Sequence, residues 1–463
     1  MIDVLIILLA LGLLMFVAYR GLSVIVLAPV CALLAVALSN GPLQVLPFYS
    51  NVFMARLVDF VKLYFPVFLL GAVFGKLIEI SGAAAAISRA IVGLVGSTRS
   101  ILAIVLACAV LTYGGVSLFV VAFAVYPLAA SLFQRSDIPK RLIPGTIALG
   151  SFTFTMDSLP GTPQIQNVIP TTFFGTNLYA APVLGCLGAA FVLVLGLAYL
   201  SRRASAARAA AEGYGDSVAA LEEERALPPA FLAIFPLIVV AVVNRWMSAW
   251  IPSAYGTTFD FAALGLSAHG TVDVAKVQGV WALEIALLAG LATTFAIAWG
   301  PITRKVGEGL TAAVSGSMLA TLNTASEYGF GAVIAALPGF TAVKTAISGT
   351  FANPLLNEAV SVNVLAGITG SASGGMSIAL AAMGQQYLEA ARAAGISPEV
   401  LHRVASMASG GMDTLPHNGA VITLLAITGL THRQSYRDIF AITLIKTAAV
   451  FFIIAVYTVT GWV

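Results

Sequence analysis

The stretch FTMDSLPGTPQIQN (154–167) sets a charged, proline-interrupted phrase between two apolar runs. A second copy, GMDTLPHNGAV (411–421), lies in the other half of the chain, again between apolar runs. Both contain Met-Asp-(Ser/Thr)-Leu-Pro. Proline lacks a backbone donor and clashes with the preceding turn, so Pro160, Pro163 and Pro416 predict helices that stop and restart.

The surrounding chain fixes the solvent in which this happens. Hydrophobic residues make up 59% of the 463 residues and charged residues 9%, against roughly 25% charged in soluble domains. Continuous apolar stretches, each near the roughly 20 residues that cross a bilayer, recur at 2–19, 22–38, 60–80, 181–200, 229–250, 278–300, 310–337 and 438–461. They are continuous rather than alternating, which excludes a transmembrane β-barrel. The expected fold is therefore an all-α polytopic membrane protein. A net charge of +3 without a basic stripe argues against a nucleic-acid partner. Cys31, Cys108 and Cys186 are scattered in apolar segments and read as free thiols. Residues 1–19 lack a basic leader and a cleavage site, and read as a retained first helix.

Four further apolar regions are interrupted. Regions 100–133 and 352–385 break at LTYGGVS (111–117) and ITGSASGGMS (368–377). Regions 141–175 and 400–430 break at the repeated phrase. Taking the first two as re-entrant hairpins places the Lys/Arg clusters RSDIPKR (135–141), SRR (201–203), TRK (303–305) and THRQSYR (431–437) on one side. That side is the cytoplasmic one by the positive-inside rule, and both termini then face the periplasm. The alternative for each hairpin is two short helices joined by a loop. Each half presents a span, a broken hairpin and a broken helix, and the second half starts on the opposite face. This is the inverted-topology repeat of many secondary transporters, whose sites lie near the midplane where discontinuous helices end. The expected divisions are N-terminal spans 1–58, a first repeat 59–200, a cytoplasmic linker 201–228 and a second repeat 229–463.

Two hairpin tips and two broken helices make one polar pocket for an anion, because freed N–H groups and positive helix ends collect there. Gly114, Gly115, Gly161, Gly370, Gly374 and Gly375 allow close backbone approach. Thr112, Ser117, Ser158, Thr162, Gln164, Asn167, Ser371, Ser373, Thr414, His417 and Asn418 complete the candidate substrate contacts. For any single glycine, helix packing is the competing reading, and for His417 a satisfied interior histidine. Asp157 and Asp413 admit two readings, a helix N-cap or a coupling site, since an ionisable group inside a span is costly. Glu327, in NTASEYG (323–329), is a third coupling candidate or a partner for Lys344. Asn353, Asn357 and Ser361 form a polar stripe at helical spacing that reads chiefly as glue to a neighbouring helix. No metal site and no cofactor are expected.

The phrases GGVSLFVVAFAVYPLA (114–129), SLPGTPQIQN (158–167) and HNGAVITLLAITGL (417–430) resemble the gluconate permease family of the ion transporter superfamily. The resemblance extends over most of the chain. It implies proton-linked uptake of gluconate or a related small carboxylate across the bacterial inner membrane. It also implies a homodimer in which a scaffold carries a moving, elevator-type transport domain. The chain departs from that family at Tyr113-Gly114-Gly115, where an acidic residue is usual, and at Met156-Asp157-Ser158, where the family is His/Pro-rich. Gluconate itself and the choice of proton or sodium therefore stay open. Two other classes compete: an intramembrane aspartyl protease using Asp157 and Asp413 as a dyad, and a passive channel.

Overall fold

The computed structural model describes residues 2–20, 22–96, 99–215, 227–340, 342, 351, 353–416 and 418–463. Nearly all of it is helical. Among the described residues, five helices are long and apolar enough to cross a membrane: Pro42–Ile80, Pro182–Ala209, Ala230–Tyr255, Val274–Ile297 and His432–Thr460. Their outward faces stay apolar, as at Val194, Val242, Trp246 and Leu288. A surface of that kind suits lipid, because soluble monomers rarely expose contiguous apolar patches of such extent.

Helices Ile2–Tyr19 and Val24–Ser39 open the chain. Pro42–Ile80 then runs through a π-helical turn at Tyr49–Phe53. The long helix Trp299–Ala336 packs along it more extensively than any other pair. Gly309 meets Ile80 and Gly329 meets the Phe53 carbonyl, where a Cβ would collide. Small residues at such crossings let helix backbones approach closely. Helices Ala230–Tyr255 and Val274–Ile297 form a second tight pair. A short antiparallel β-hairpin, Thr258–Asp260 with Thr271–Asp273, joins them.

Each of the two Gly/Ser-broken regions folds as a pair of helices joined by a tight turn. The first pairs Ser100–Tyr113 with Leu118–Arg135, and the second pairs Pro354–Thr369 with Ala372–Ala393. Gly115 at φ +92° and Gly370 at φ +65° make the two tips, a backbone conformation that costs a side-chain-bearing residue energy and glycine almost none. Both broken helices are present too. Ile143–Ser151 stops, a single turn Phe154–Asp157 follows, and Ile165–Phe174 restarts. Pro398–Gly411 stops and Gly419–Thr428 restarts.

The two halves interlock. The segment Pro398–Gly411 packs against Ile165–Phe174, and Gly419–Thr428 packs against Leu118–Arg135. At one end a charged cluster closes the bundle. Asp438 accepts from Tyr199, Arg203 and Arg141, and Arg141 also holds Glu212 at 2.6 and 2.8 Å.

Candidate functional site

A cavity of about 980 Å³ lies between the two hairpin tips, the two breaks and the paired helices Pro42–Ile80 and Trp299–Ala336. Its wall from the long helix is mostly small residues: Ala313, Gly316, Ser317, Ala320 and Thr324. Lys76 and Glu79, paired at 2.7 Å, stand on the facing helix.

Besides Val24–Ser39, four helices of the hairpins and breaks begin at this cavity. Their first residues, Leu118, Ile165, Ala372 and Gly419, all line it. The first N–H groups of a helix have no intrahelical acceptor, and each such end carries roughly half a positive charge. Ser371 caps the second hairpin's returning helix by accepting from Gly374 N. Asn418 caps Gly419–Thr428 by accepting from Ala420 N and Val421 N. The helices starting at Leu118 and Ile165 have no side-chain cap. The restarted helices take Gln164 and Asn418 at their cap positions, so Asp157 and Asp413 are not the N-caps that the sequence allowed.

The residue before each restarted helix also ties it to its own hairpin. Gln164 donates from Nε2 to the Thr112 carbonyl at 2.7 Å. Asn418 donates from Nδ2 to the Gly370 carbonyl at 2.7 Å. Tyr113 adds a bond to the Pro160 carbonyl at 2.8 Å.

The cavity brings together only part of the candidate set. Gly115, Ser117, Gln164, Gly370, Ser371, Ser373 and Asn418 line it, with Asp413 and Glu327. The others sit behind it, for physical reasons. Thr112 pairs with Ser151 and Thr414 with Thr443. Gly114 packs under Leu237, and Gly161 under Tyr179. Thr162 donates to the Thr155 carbonyl, and Ser158 to Asp157 Oδ1. Asn167 donates to the Thr162 and Leu178 carbonyls. Gly374 lies against Glu327. His417 and Lys344 fall outside the described residues. Within the polar stripe, Asn353 caps its own helix, Asn357 donates to the Phe351 carbonyl and Ser361 to the Asn357 carbonyl, and Ser361 also meets Tyr387 of the neighbouring helix Ala372–Ala393.

Three buried residues that the sequence reading passed over organise the breaks. Arg403 donates to the Ala180 carbonyl, to the Asp157 carbonyl at 3.1 Å and to Asn167 Oδ1. Beside it, His402 bridges Asn167 and Thr176. The Nε2–H tautomer satisfies both of its partners, since Thr176 then donates to Nδ1. Lys446, in the last span, donates to Asp413 Oδ1 and to the Phe152 carbonyl. An ionisable residue inside an apolar span was the available signal for all three. The same signal marks Glu358, wholly buried with neither carboxyl oxygen hydrogen-bonded. Asp157 Oδ2 and Glu327 Oε2 are likewise without a hydrogen-bond partner.

Among the described residues no group of three His, Cys, Asp or Glu side chains is placed to hold a metal ion. No protein-family model matches the chain. A Haemophilus influenzae protein described as an uncharacterized transporter is 44% identical over 73 residues, 16% of this chain and 17% of its own. Two solved transporters share the fold at low identity. The YdaH transporter of Alcanivorax borkumensis superposes with a TM-score of 0.54 at 15% identity, over 90% of each chain. MtrF of Neisseria gonorrhoeae, titled as illuminating a class of antimetabolite efflux pumps, superposes with a TM-score of 0.53 at 14% identity, over 89% of this chain and 84% of its own. A Bacillus subtilis (strain 168) protein, described as uncharacterized transporter YxjC, is 59% identical over 472 residues that span all of both chains. With helices suited to crossing a membrane and this full-length relative, the chain is a multi-pass membrane protein and belongs to the YxjC family of transporters.

Proposed function

We propose that this transporter is a secondary carrier that brings a small organic carboxylate into the cell by proton symport. The observation that carries the reading is the convergence of four helix N-termini and both hairpin tips on one cavity. Positive helix ends suit an anion, and the serine hydroxyls of Ser117, Ser371 and Ser373 suit its oxygens. The Lys/Arg placement supports periplasmic termini, and the gluconate permease resemblance narrows the cargo to gluconate-like hydroxy acids and the location to the bacterial inner membrane. It also supports an inverted repeat working as an elevator within a homodimer. The Gln164–Thr112 and Asn418–Gly370 ties favour the repeat, because in each half the residue before the restarted helix bonds a carbonyl of the adjoining hairpin.

Asp157, Asp413 and Glu327 are the proposed proton-coupling groups. A protease dyad needs two carboxylates sharing a proton, whereas Asp413 is paired with an ammonium. A sodium-coupled carrier is the second reading of the coupling. The fold shared with an efflux pump leaves export as the second reading of direction.

Thermal unfolding of the purified protein against a panel of hydroxy acids tests the cargo class. A ligand that binds only the folded state stabilises it by RT ln(1 + [L]/Kd). At least one acid should raise the midpoint while its neutral amide does not, and the shift should shrink in Ser373→Ala. A panel with no acid-specific shift contradicts the proposal.

A further inference from the structure

Lys446 lies in the middle of an apolar span of mean hydropathy 2.5, with only 2% of its side chain exposed. Its two partners come from the two breaks. Phe152 is the residue at which Ile143–Ser151 ends, and its carbonyl accepts at 3.1 Å. Asp413 follows the end of Pro398–Gly411, and its carboxylate accepts the other bond. Helix C-termini carry the negative end of the dipole. In transporters built from discontinuous helices, such ends and the unwound carbonyls beside them are where a coupling cation is coordinated. Here the anionic side of the breaks already holds a cation, attached to the last helix by its own side chain. Asp157, at the first break, also feels the Lys446 charge.

We propose that Lys446 is the resident cation of the coupling site, fixing the two breaks to one another and excluding sodium from the Asp413 carboxylate. This rests on the reading of the breaks as the coupling region. A sodium ion takes carbonyl and carboxylate oxygens as ligands. At this position it would have to displace the ammonium from both Phe152 and Asp413. The chain can therefore exchange protons at its buried carboxylates, while a bound sodium ion has no vacant oxygen cluster there. Lysine is a compact charge with three donors and no acceptor, so it reproduces the electrostatics of the ion without leaving the protein.

Equilibrium binding of radiolabelled sodium to the purified full-length protein, without any substrate, tests this. Choline chloride keeps the ionic strength constant. The wild type should bind no saturable sodium. Lys446→Ala should gain saturable binding, and Asp413→Asn added to it should remove that binding again. Lys446→Arg, which keeps the fixed charge, should bind none. Where Lys446→Ala is not monodisperse, Lys446→Gln is measured in its place. Saturable sodium binding by the wild type overturns the proposal. So does a folded Lys446→Ala or Lys446→Gln that gains no sodium site. Because no carboxylate enters the experiment, its failure leaves the cargo assignment standing, and a wrong cargo leaves this result standing.

Discussion

Gly410 lies directly against the Asp157 carboxylate: a Cβ at residue 410 would fall on Oδ2. The two residues belong to different halves of the chain, one at the end of the helix before the second break and one in the first. The contact brings Asp157 within the frame set by Arg403 and Ser406, which both donate to its backbone carbonyl. Gly410→Ala should push the carboxylate out of place. Overpacking of this kind costs about 1–3 kcal/mol, so the unfolding midpoint should fall and any gradient-driven transport should be lost with it. Gly93→Ala, where a Cβ meets nothing within 4 Å, should leave both unchanged or raise stability slightly, since alanine suits a helix interior better than glycine. Equal behaviour of the two variants contradicts the placement of Asp157.

The two aspartates should separate in stability and agree in coupling. Neither caps a helix, so asparagine is not a neutral replacement for capping reasons. Asp413→Asn leaves the Lys446 ammonium buried without its counter-charge, and breaking a buried pair costs about 3–5 kcal/mol. Asp157→Asn removes no ion pair and should be milder. Thermal unfolding ranks the two. In vesicles, each variant that folds should keep substrate exchange and lose concentrative uptake, because asparagine does not titrate. Near-normal accumulation by both would move coupling to Glu327.

Cavity residues and braced residues should fail differently. Ser117→Ala and Ser373→Ala remove hydroxyls that line the cavity, whereas Ser371→Ala also removes a helix cap and should lower stability as well. A lost hydrogen bond to a charged ligand costs about 1.5–3 kcal/mol, roughly 10- to 150-fold in affinity. Thr162 and Asn167 point their polar atoms into the protein, so their alanine variants should lower stability and leave affinity in the surviving fraction unchanged. Titration of each folded variant with a bound acid checks this. Affinity lost at Thr162 and kept at Ser373 would place the site behind the cavity wall.

Outside the membrane, the Arg141–Glu212 pair gives a pH signature. Hydrogen bonds from the guanidinium hold the Glu212 carboxyl below its ordinary range. A depressed folded value means that the pair's contribution is complete above the free carboxylate's pKa and disappears as pH falls through the folded one. Glu212→Gln should therefore lower the unfolding midpoint slightly at neutral pH and match the wild type in acid. A difference that persists undiminished at low pH contradicts this.

The breaks were legible in the sequence because proline and glycine act locally. Pro160, Pro163 and Pro416 mark breaks because each stands close to a Gly, Ser or Asn where a helix ends or restarts. Proline alone does not, since Pro66, Pro127 and Pro170 lie inside continuous helices, and Gly115 and Gly370 mark tips that need positive φ. The helix Ala83–Val95 and the β-hairpin 258–273 were missed. The first is too short for a spanning stretch, and the second carries a three-residue strand on each side. The spans 60–80 and 310–337 proved longer, reaching Pro42–Ile80 and Trp299–Ala336, since polar residues at helix ends dilute the apolar signal. Within the site, residue type alone did not distinguish Ser373, which lines the cavity, from Thr162, which is turned away. That choice depends on which neighbouring carbonyl lies within reach, a tertiary fact. Lys446 and Arg403 were visible as charges in apolar runs, and only their partners gave them meaning.

Coupled carboxylate uptake is measured in proteoliposomes. Purified protein is reconstituted and offered a labelled hydroxy acid that has passed the binding panel. The driving force is an inward proton gradient, an inward sodium gradient or none. A proton symporter accumulates the acid above equilibrium with the proton gradient, loses that accumulation to a protonophore, and only equilibrates the acid with sodium alone. Accumulation driven by sodium at uniform pH, or no carboxylate movement under any gradient, would contradict proton-coupled uptake.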